Sequence, residues 1–142
     1  MPIKEPTTAL LAHELRETLG RVVRRLRAEP GPSVGRLAVL GRLDRDGPAS
    51  ISVLATCERM RPQSMAQIVH DLEIAGLVSR RPDPADGRRV FIDLTATGLE
   101  LLHTTRAHRE TWLTDTLERE LDADERTLLC EALALLARVA DA

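Results

Sequence analysis

Aromatic side chains are nearly missing from this chain, which has one Trp (Trp112), one Phe (Phe91) and no Tyr among 142 residues. A core without aromatic bulk must be filled by Leu, Val and Ala, which suits helices packed on helices and argues against a β-sandwich or barrel. Cysteine is almost as scarce. Cys57 and Cys130 are too few for a disulfide framework and match none of the zinc spacings, so a reducing cytoplasm is expected, with no metal site. No apolar run approaches the ~18 residues of a membrane span. The opening MPIKEPTT also lacks a signal-peptide core, which predicts a soluble protein with no membrane partner. Positive charge is not in excess: 20 Lys and Arg stand against 22 Asp and Glu.

A net charge of −2 is not the mark of a nucleic-acid binder, so its distribution carries more than its sum. Residues 1–58 hold nine basic against seven acidic side chains, residues 59–89 six against four, and residues 90–142 five against eleven. A basic middle beside an acidic end fits a protein that turns one face to phosphates and keeps another away from them. Chance clustering on a solvated surface gives the same counts. At this length one domain with a modest core is expected.

The middle of the chain is its most informative part. Met65, Ile68, Val69 and Leu72 fall at i, i+3, i+4 and i+7, one apolar face of a helix. Behind them stand Gln63, Ser64, Gln67, His70 and Asp71. A buried stripe backed by amide and hydroxyl groups is what a helix needs if it must dock on its own domain and also reach base edges in a major groove. Pro62 suits the first helical position, and Gly76 suits the residue just past the end. Ahead of it, Ser50 caps a short helix with Ile51, Leu54 and Ala55 inward, and Cys57 to Met60 forms a turn. After it, Leu77–Arg80 and the alternating Val90, Ile92 and Leu94 read as two strands. The Pro82–Arg88 loop between them makes a hairpin with an extended tip. Together these segments predict a winged helix-turn-helix that binds double-stranded DNA.

The flanks are helical. Thr7 to Ala28 carries Leu11, Leu15, Leu19, Val22 and Leu26 on one side and ends at Pro30-Gly31-Pro32. That stripe is to be covered by the chain's own core or by the same helix of a second copy. Ser33 caps a second helix to about Asp44, with Leu37, Leu40 and Leu43 inward. Its Gly35 and Gly41 imply either a close backbone approach or a loosely held helix. Asp46-Gly47-Pro48 is a turn. Thr95 caps a long helix from Ala96 to about Leu121. Asp122 with Glu125 forms a capping box for a last helix to about Ala140, striped by Leu128, Leu129, Ala132, Leu133, Leu136 and Val139.

This order of elements resembles the MarR family of bacterial transcriptional regulators. The likeness rests on Asp86-x-Arg88 followed by a strand, Leu94-Thr95 and Gly98. It rests equally on Arg61-Pro62-Gln63-Ser64-Met65 opening the central helix and Leu72-Glu73-x-x-Gly76-Leu77-Val78 closing it. The resemblance implies a mainly α fold with an α+β wing. Residues 33–95 would be the DNA-binding lobe, and residues 1–32 with 96–142 a dimerisation region. It implies a homodimer on a near-palindromic operator, usually a repressor, responding to a small aromatic or anionic effector. It also implies that Asp86 braces the wing while Arg88 enters the minor groove, where a guanidinium meets strong negative potential. Family peroxide sensors carry their reactive cysteine in the first helix, and there is none there.

On this reading Gln63, Ser64 and Gln67 are candidates for base edges, against the plain alternative of solvated helix residues. Arg61 would take a phosphate or a guanine edge, and His70, a turn further on, is a weaker candidate. Ser50, Ser52 and Thr56 are expected on phosphates, and Arg89 is either a phosphate contact or a surface charge. Cys57, near Arg59 and Arg61, is either a buried inert thiol or a reactive thiolate. His103 and His108, five apart, miss the spacing that aims two imidazoles at one metal. Trp112 is open between core, interface and the lining of a ligand cavity. No Ser/His/Asp or Cys/His arrangement and no phosphate-cradling glycine loop is visible, so neither an enzyme nor a cofactor is expected. The acids from Glu118 to Glu125 read as caps and surface. An architectural or protein-interaction winged helix without an effector is the competing function.

Overall fold

Most helices of this chain begin at a side chain that accepts an otherwise unpaired backbone N–H. In the computed structural model, which describes residues 5–142, Thr7 accepts from Leu10, and Ser33 from Arg36. Ser50 likewise accepts from Val53, and Thr95 from Gly98. Asp122 and Glu125 exchange bonds at 2.8 and 2.9 Å as a complete capping box. Such caps contribute about 1 kcal/mol each. They set the starts of α1 (Thr8–Ala28), α2 (Val34–Asp46), α3 (Ile51–Cys57), α5 (Ala96–Glu120) and α6 (Ala123–Ala140); α4 (Pro62–Ile74) starts on its proline. The first four residues of the N-terminal lead lie outside the described residues.

Strands β1 (Val78–Pro82) and β2 (Val90–Leu94) pair antiparallel, with Val78 opposite Leu94 and Pro82 opposite Val90. The expected first strand, Leu77–Arg80, thus begins one residue late and continues through Pro82, a residue without an N–H that is tolerated at the end of an edge strand. Ala49 was expected to follow a plain turn. It instead pairs with the other edge of β2, exchanging bonds of 3.1 and 2.8 Å with Ile92. That makes Ile92 the centre of the small sheet and buries it fully. Val90, which shares the alternation of Ile92, is exposed because it lies at the strand's end beside the loop.

The core joins Val39, Leu40 and Leu43 of α2, Leu54 and Ala55 of α3, Met65, Val69 and Leu72 of α4, Leu77, Val78, Ile92, and Leu102 of α5. Full burial of a Leu, Ile or Met side chain stabilises by about 1.5–3 kcal/mol. Leu37, Ile51 and Ile68, expected fully inward, are half-buried and pack against this cluster from its rim.

Chain contacts divide the protein into one unit ending at Thr105 and another spanning Arg106–Ala142, the division falling inside α5. In the first unit, α1 buries none of its residues, and Leu10, Leu11, Leu19 and Val22 remain exposed. In the second, α6 also buries none, and Leu128, Leu133, Leu135 and Val139 remain exposed. Among the described residues no helix is long and apolar enough to cross a membrane.

The Leu94-Thr95…Gly98 motif has a steric cause. Thr95 Oγ1 donates to the Gly76 carbonyl at 2.7 Å while its N–H donates to the Leu77 carbonyl at 3.1 Å. This pulls the start of α5 onto the end of α4. A Cβ at Gly98 would lie 2.1 Å from the Leu77 carbonyl oxygen. At Gly35 the nearest atom to an added Cβ is Ile68 Cδ1 at 3.9 Å, an ordinary contact, so no close approach explains that glycine. In thermal or denaturant melts Gly98→Ala is expected to destabilise by about 3 kcal/mol or more. Gly35→Ala is expected to stabilise by roughly 0.5–1 kcal/mol. Equal effects at the two sites would contradict this packing.

Candidate nucleic-acid interface

One side of α4 is sealed, with Met65, Val69 and Leu72 at most 1% exposed. Gln63, Ser64, Gln67 and His70 are exposed on the remainder. Arg61, the residue before Pro62, is exposed and makes no side-chain cap bond. Gln67 Nε2 donates to Asp71 Oδ1 at 3.0 Å, and the other Asp71 oxygen accepts from Arg36 of α2 at 2.8 Å. Asp71, grouped with the polar face by its spacing, therefore ties α4 to α2 and orients the Gln67 amide. The second amide hydrogen and the carbonyl oxygen are the pair a two-point contact with adenine requires.

The loop between the strands is built on carboxylates. Asp83 accepts from the N–H of Ala85 at 2.8 Å; Asp86 accepts from that of Arg88 at 3.1 Å through its side chain and from that of Arg89 at 3.0 Å through its carbonyl. These bonds shape the turn that carries the two exposed arginines. Arg88 and Arg89 line a cleft of about 360 Å³ together with Ser50, Ser52, Val53, Val90 and Phe91. The structure so brings four of the phosphate and groove candidates together, although they come from α3 and from the loop 36 residues away. Ser50 uses its oxygen as a cap and keeps its O–H to donate. Thr56 differs: its hydroxyl donates to the Ser52 carbonyl at 3.1 Å, so the proton a phosphate would need is already engaged.

Ion pairs between distant elements hold this surface together. Arg42 of α2 donates to Glu58, after α3, at 2.7 Å and to Asp46 at 3.1 Å. The Glu58 hydrogen bond raises the Arg42 pKa above its ordinary value, against the opposing effect of burial. Arg80 of β1 pairs with Glu73 of α4, and Arg81 lies 3.6 Å from Asp93 of β2. Only Arg42–Asp46 had a sequence signal, its i,i+4 spacing. The exposed pairs contribute little each. Cys57 closes α3 and is exposed, which removes the buried-thiol reading. His103 and His108 are exposed, and among the described residues no three His, Cys, Asp or Glu side chains gather as metal ligands.

Residues 31–89 match the model of the MarR family. Over 136 residues the chain is 34% identical to the HTH-type transcriptional regulator ML2140 of Mycobacterium leprae, covering 94% of each protein. The chain belongs to the MarR family. A crystal structure of a transcriptional regulator from Pseudomonas aeruginosa is 36% identical, with a TM-score of 0.76 covering 96% of this chain and 99% of that one. A structure describing regulation of DNA binding of Bordetella bronchiseptica BpsR by 6-hydroxynicotinic acid shares the fold, at 21% identity and a TM-score of 0.74 over 98% and 99% of the chains. This MarR-family chain is accordingly a transcriptional regulator with a DNA-binding winged helix, in a family of regulators and not of enzymes. In it α4 is the recognition helix and the β1–β2 hairpin the wing.

Through Arg42, Glu58 joins α2 to the turn before the recognition helix. Glu58→Ala should lower stability by about 1–2 kcal/mol by leaving the half-buried Arg42 with Asp46 alone. An unchanged thermal midpoint would mean that the pair carries no stability.

Proposed function

We propose that two copies of this chain grip one near-palindromic operator in the cytoplasm as a ligand-responsive repressor. The observation that carries the DNA part is the two-sidedness of α4, whose Met65, Val69 and Leu72 are buried while Gln63, Ser64, Gln67 and His70 face outward. On this reading residues 33–95 form the DNA-binding lobe. Gln63, Ser64, Gln67 and His70 meet base edges, Arg61 a phosphate or guanine, and Arg88 the minor groove with Asp86 setting its loop. Arg89, Ser50 and Ser52 lie along the phosphates.

The exposed apolar residues of α1 and of α6 support residues 1–32 and 96–142 as a dimerisation region. Each helix carries more exposed Leu and Val than a lone surface helix needs. A two-fold pair would set two recognition helices roughly 34 Å apart, one DNA turn. The regulation of BpsR by 6-hydroxynicotinic acid supports a small aromatic anion as the effector class here. Such a ligand acts by its differential affinity for DNA-competent and incompetent states.

Mobility shifts on duplexes selected from a random pool and on scrambled controls test the operator reading. Equal affinity for both would replace it with an architectural role. Arg88→Ala is expected to weaken binding by roughly 10-fold at 0.1 M salt with the fold intact. Sedimentation should return twice the 15.7 kDa chain mass, and Leu133→Glu should shift it toward the single chain. A monomeric wild type would remove the dimer.

A further inference from the structure

The Gln67 amide does not hang free on the exposed side of α4. Its Nε2 donates to Asp71 Oδ1 at 3.0 Å, one helical turn further on, and Asp71 Oδ2 accepts from Arg36 Nη2 of α2 at 2.8 Å. Each carboxylate oxygen is thus met by its own donor. A guanidinium can only donate, a carboxylate can only accept, and a side-chain amide does either according to which way its plane is turned. Arg36 therefore holds Asp71 in place, and Asp71 leaves the Gln67 amide a single orientation, nitrogen toward the carboxylate and carbonyl oxygen away from it.

The four bases would meet that edge differently. In the major groove adenine alone shows a donor beside an acceptor, its N6 amino group and N7; guanine shows two acceptors, cytosine one donor, and thymine one acceptor beside a methyl group. An amide that keeps its carbonyl and one N–H in a fixed order matches adenine. One free to turn over could offer its NH2 group to the two acceptors of guanine instead. We infer that Asp71, held by Arg36, is the positioning residue that makes Gln67 read adenine rather than guanine at one base pair of each half-site. This deepens the operator reading above and rests on Gln67 reaching a base. Asp71→Asn should reverse the order of donors. Arg36 must keep the oxygen of the new amide, whose nitrogen then faces Gln67, and Gln67 can answer only with its own carbonyl oxygen, which turns its NH2 group outward.

The test uses the full-length chain and its Gln67→Ala, Asp71→Asn and Asp71→Ala variants. The Arg36–Asp71 side chains are 43% and 33% exposed, so losing the pair costs little stability, which thermal midpoints check. Affinities are read for a duplex selected by the wild type, a scrambled duplex, and copies of the selected duplex changed symmetrically at each base pair in turn. Gln67→Ala locates the pair that Gln67 reads, as the position where the wild-type preference disappears. There the wild type should favour adenine over guanine roughly 10-fold per half-site. Asp71→Asn should favour guanine, and Asp71→Ala should bring the two within about 3-fold, with preferences at the other pairs unchanged. Adding Arg36→Met to Asp71→Asn should abolish the reversal, because nothing then fixes the new amide. A wild-type preference for guanine at that pair, or an adenine preference untouched by both Asp71 variants, would overturn the inference. An equal loss of affinity at every pair would assign Asp71 to holding the fold alone. A wild type that cannot tell the selected duplex from the scrambled one sinks the operator reading; a specific wild type with an indifferent Gln67→Ala removes Gln67 from the bases and the role of Asp71 with it.

Discussion

The burial of Met65, Val69 and Leu72 is the constraint on which the rest of this molecule depends. These three side chains serve the core and also fix the rotation of α4, which leaves Gln63, Ser64, Gln67 and His70 facing outward. Everything around them serves to hold that rotation. Arg36 holds Asp71 from α2, Glu73 holds Arg80 from the hairpin, and Thr95 holds the Gly76 carbonyl at the end of the helix. A recognition surface made this way is preorganised, since the polar face is ordered by apolar packing completed before any partner arrives.

The hairpin follows a different logic. It has little apolar burial outside Ile92 and Val78, so its loop is shaped by local hydrogen bonds from Asp83 and Asp86 to backbone N–H groups. Such a loop sets the path of the backbone at Arg88 and Arg89 while leaving long side chains free to adapt. Rigid amides on a packed helix and adaptable guanidiniums on a wing suit two different tasks: reading base edges and following a groove of variable width. The acidic C-terminal third, eleven acids against five bases, lies in sequence beyond both.

Much of this was legible in the residues because the decisive interactions are local. Ser33, Ser50, Thr95 and the Asp122/Glu125 pair announced helix starts, and the apolar period of α4 announced which face is buried. What escaped has a common character. Ala49 contributes one residue to the sheet, too short for any periodicity. Arg42–Glu58 and Arg36–Asp71 join positions 16 and 35 apart, and the Thr56 proton is lost to a carbonyl of its own helix. Gly35 and Gly98 look alike as letters, yet only one has a backbone oxygen pressed against it.

Residue identity alone determined where helices begin and end, which faces are apolar, and that a hairpin with an acidic, arginine-bearing loop follows the recognition helix. These depend on hydrogen bonds and side-chain spacing within a few residues of one another. Only the tertiary structure decided that Ser50, Ser52, Arg88 and Arg89 share one cleft, that Asp71 is a strut, and that Arg59 adopts, at φ 52°, the left-handed backbone that glycine favours. Those facts depend on how separate segments meet and on backbone torsions set by that meeting, and no spacing along the chain encodes either.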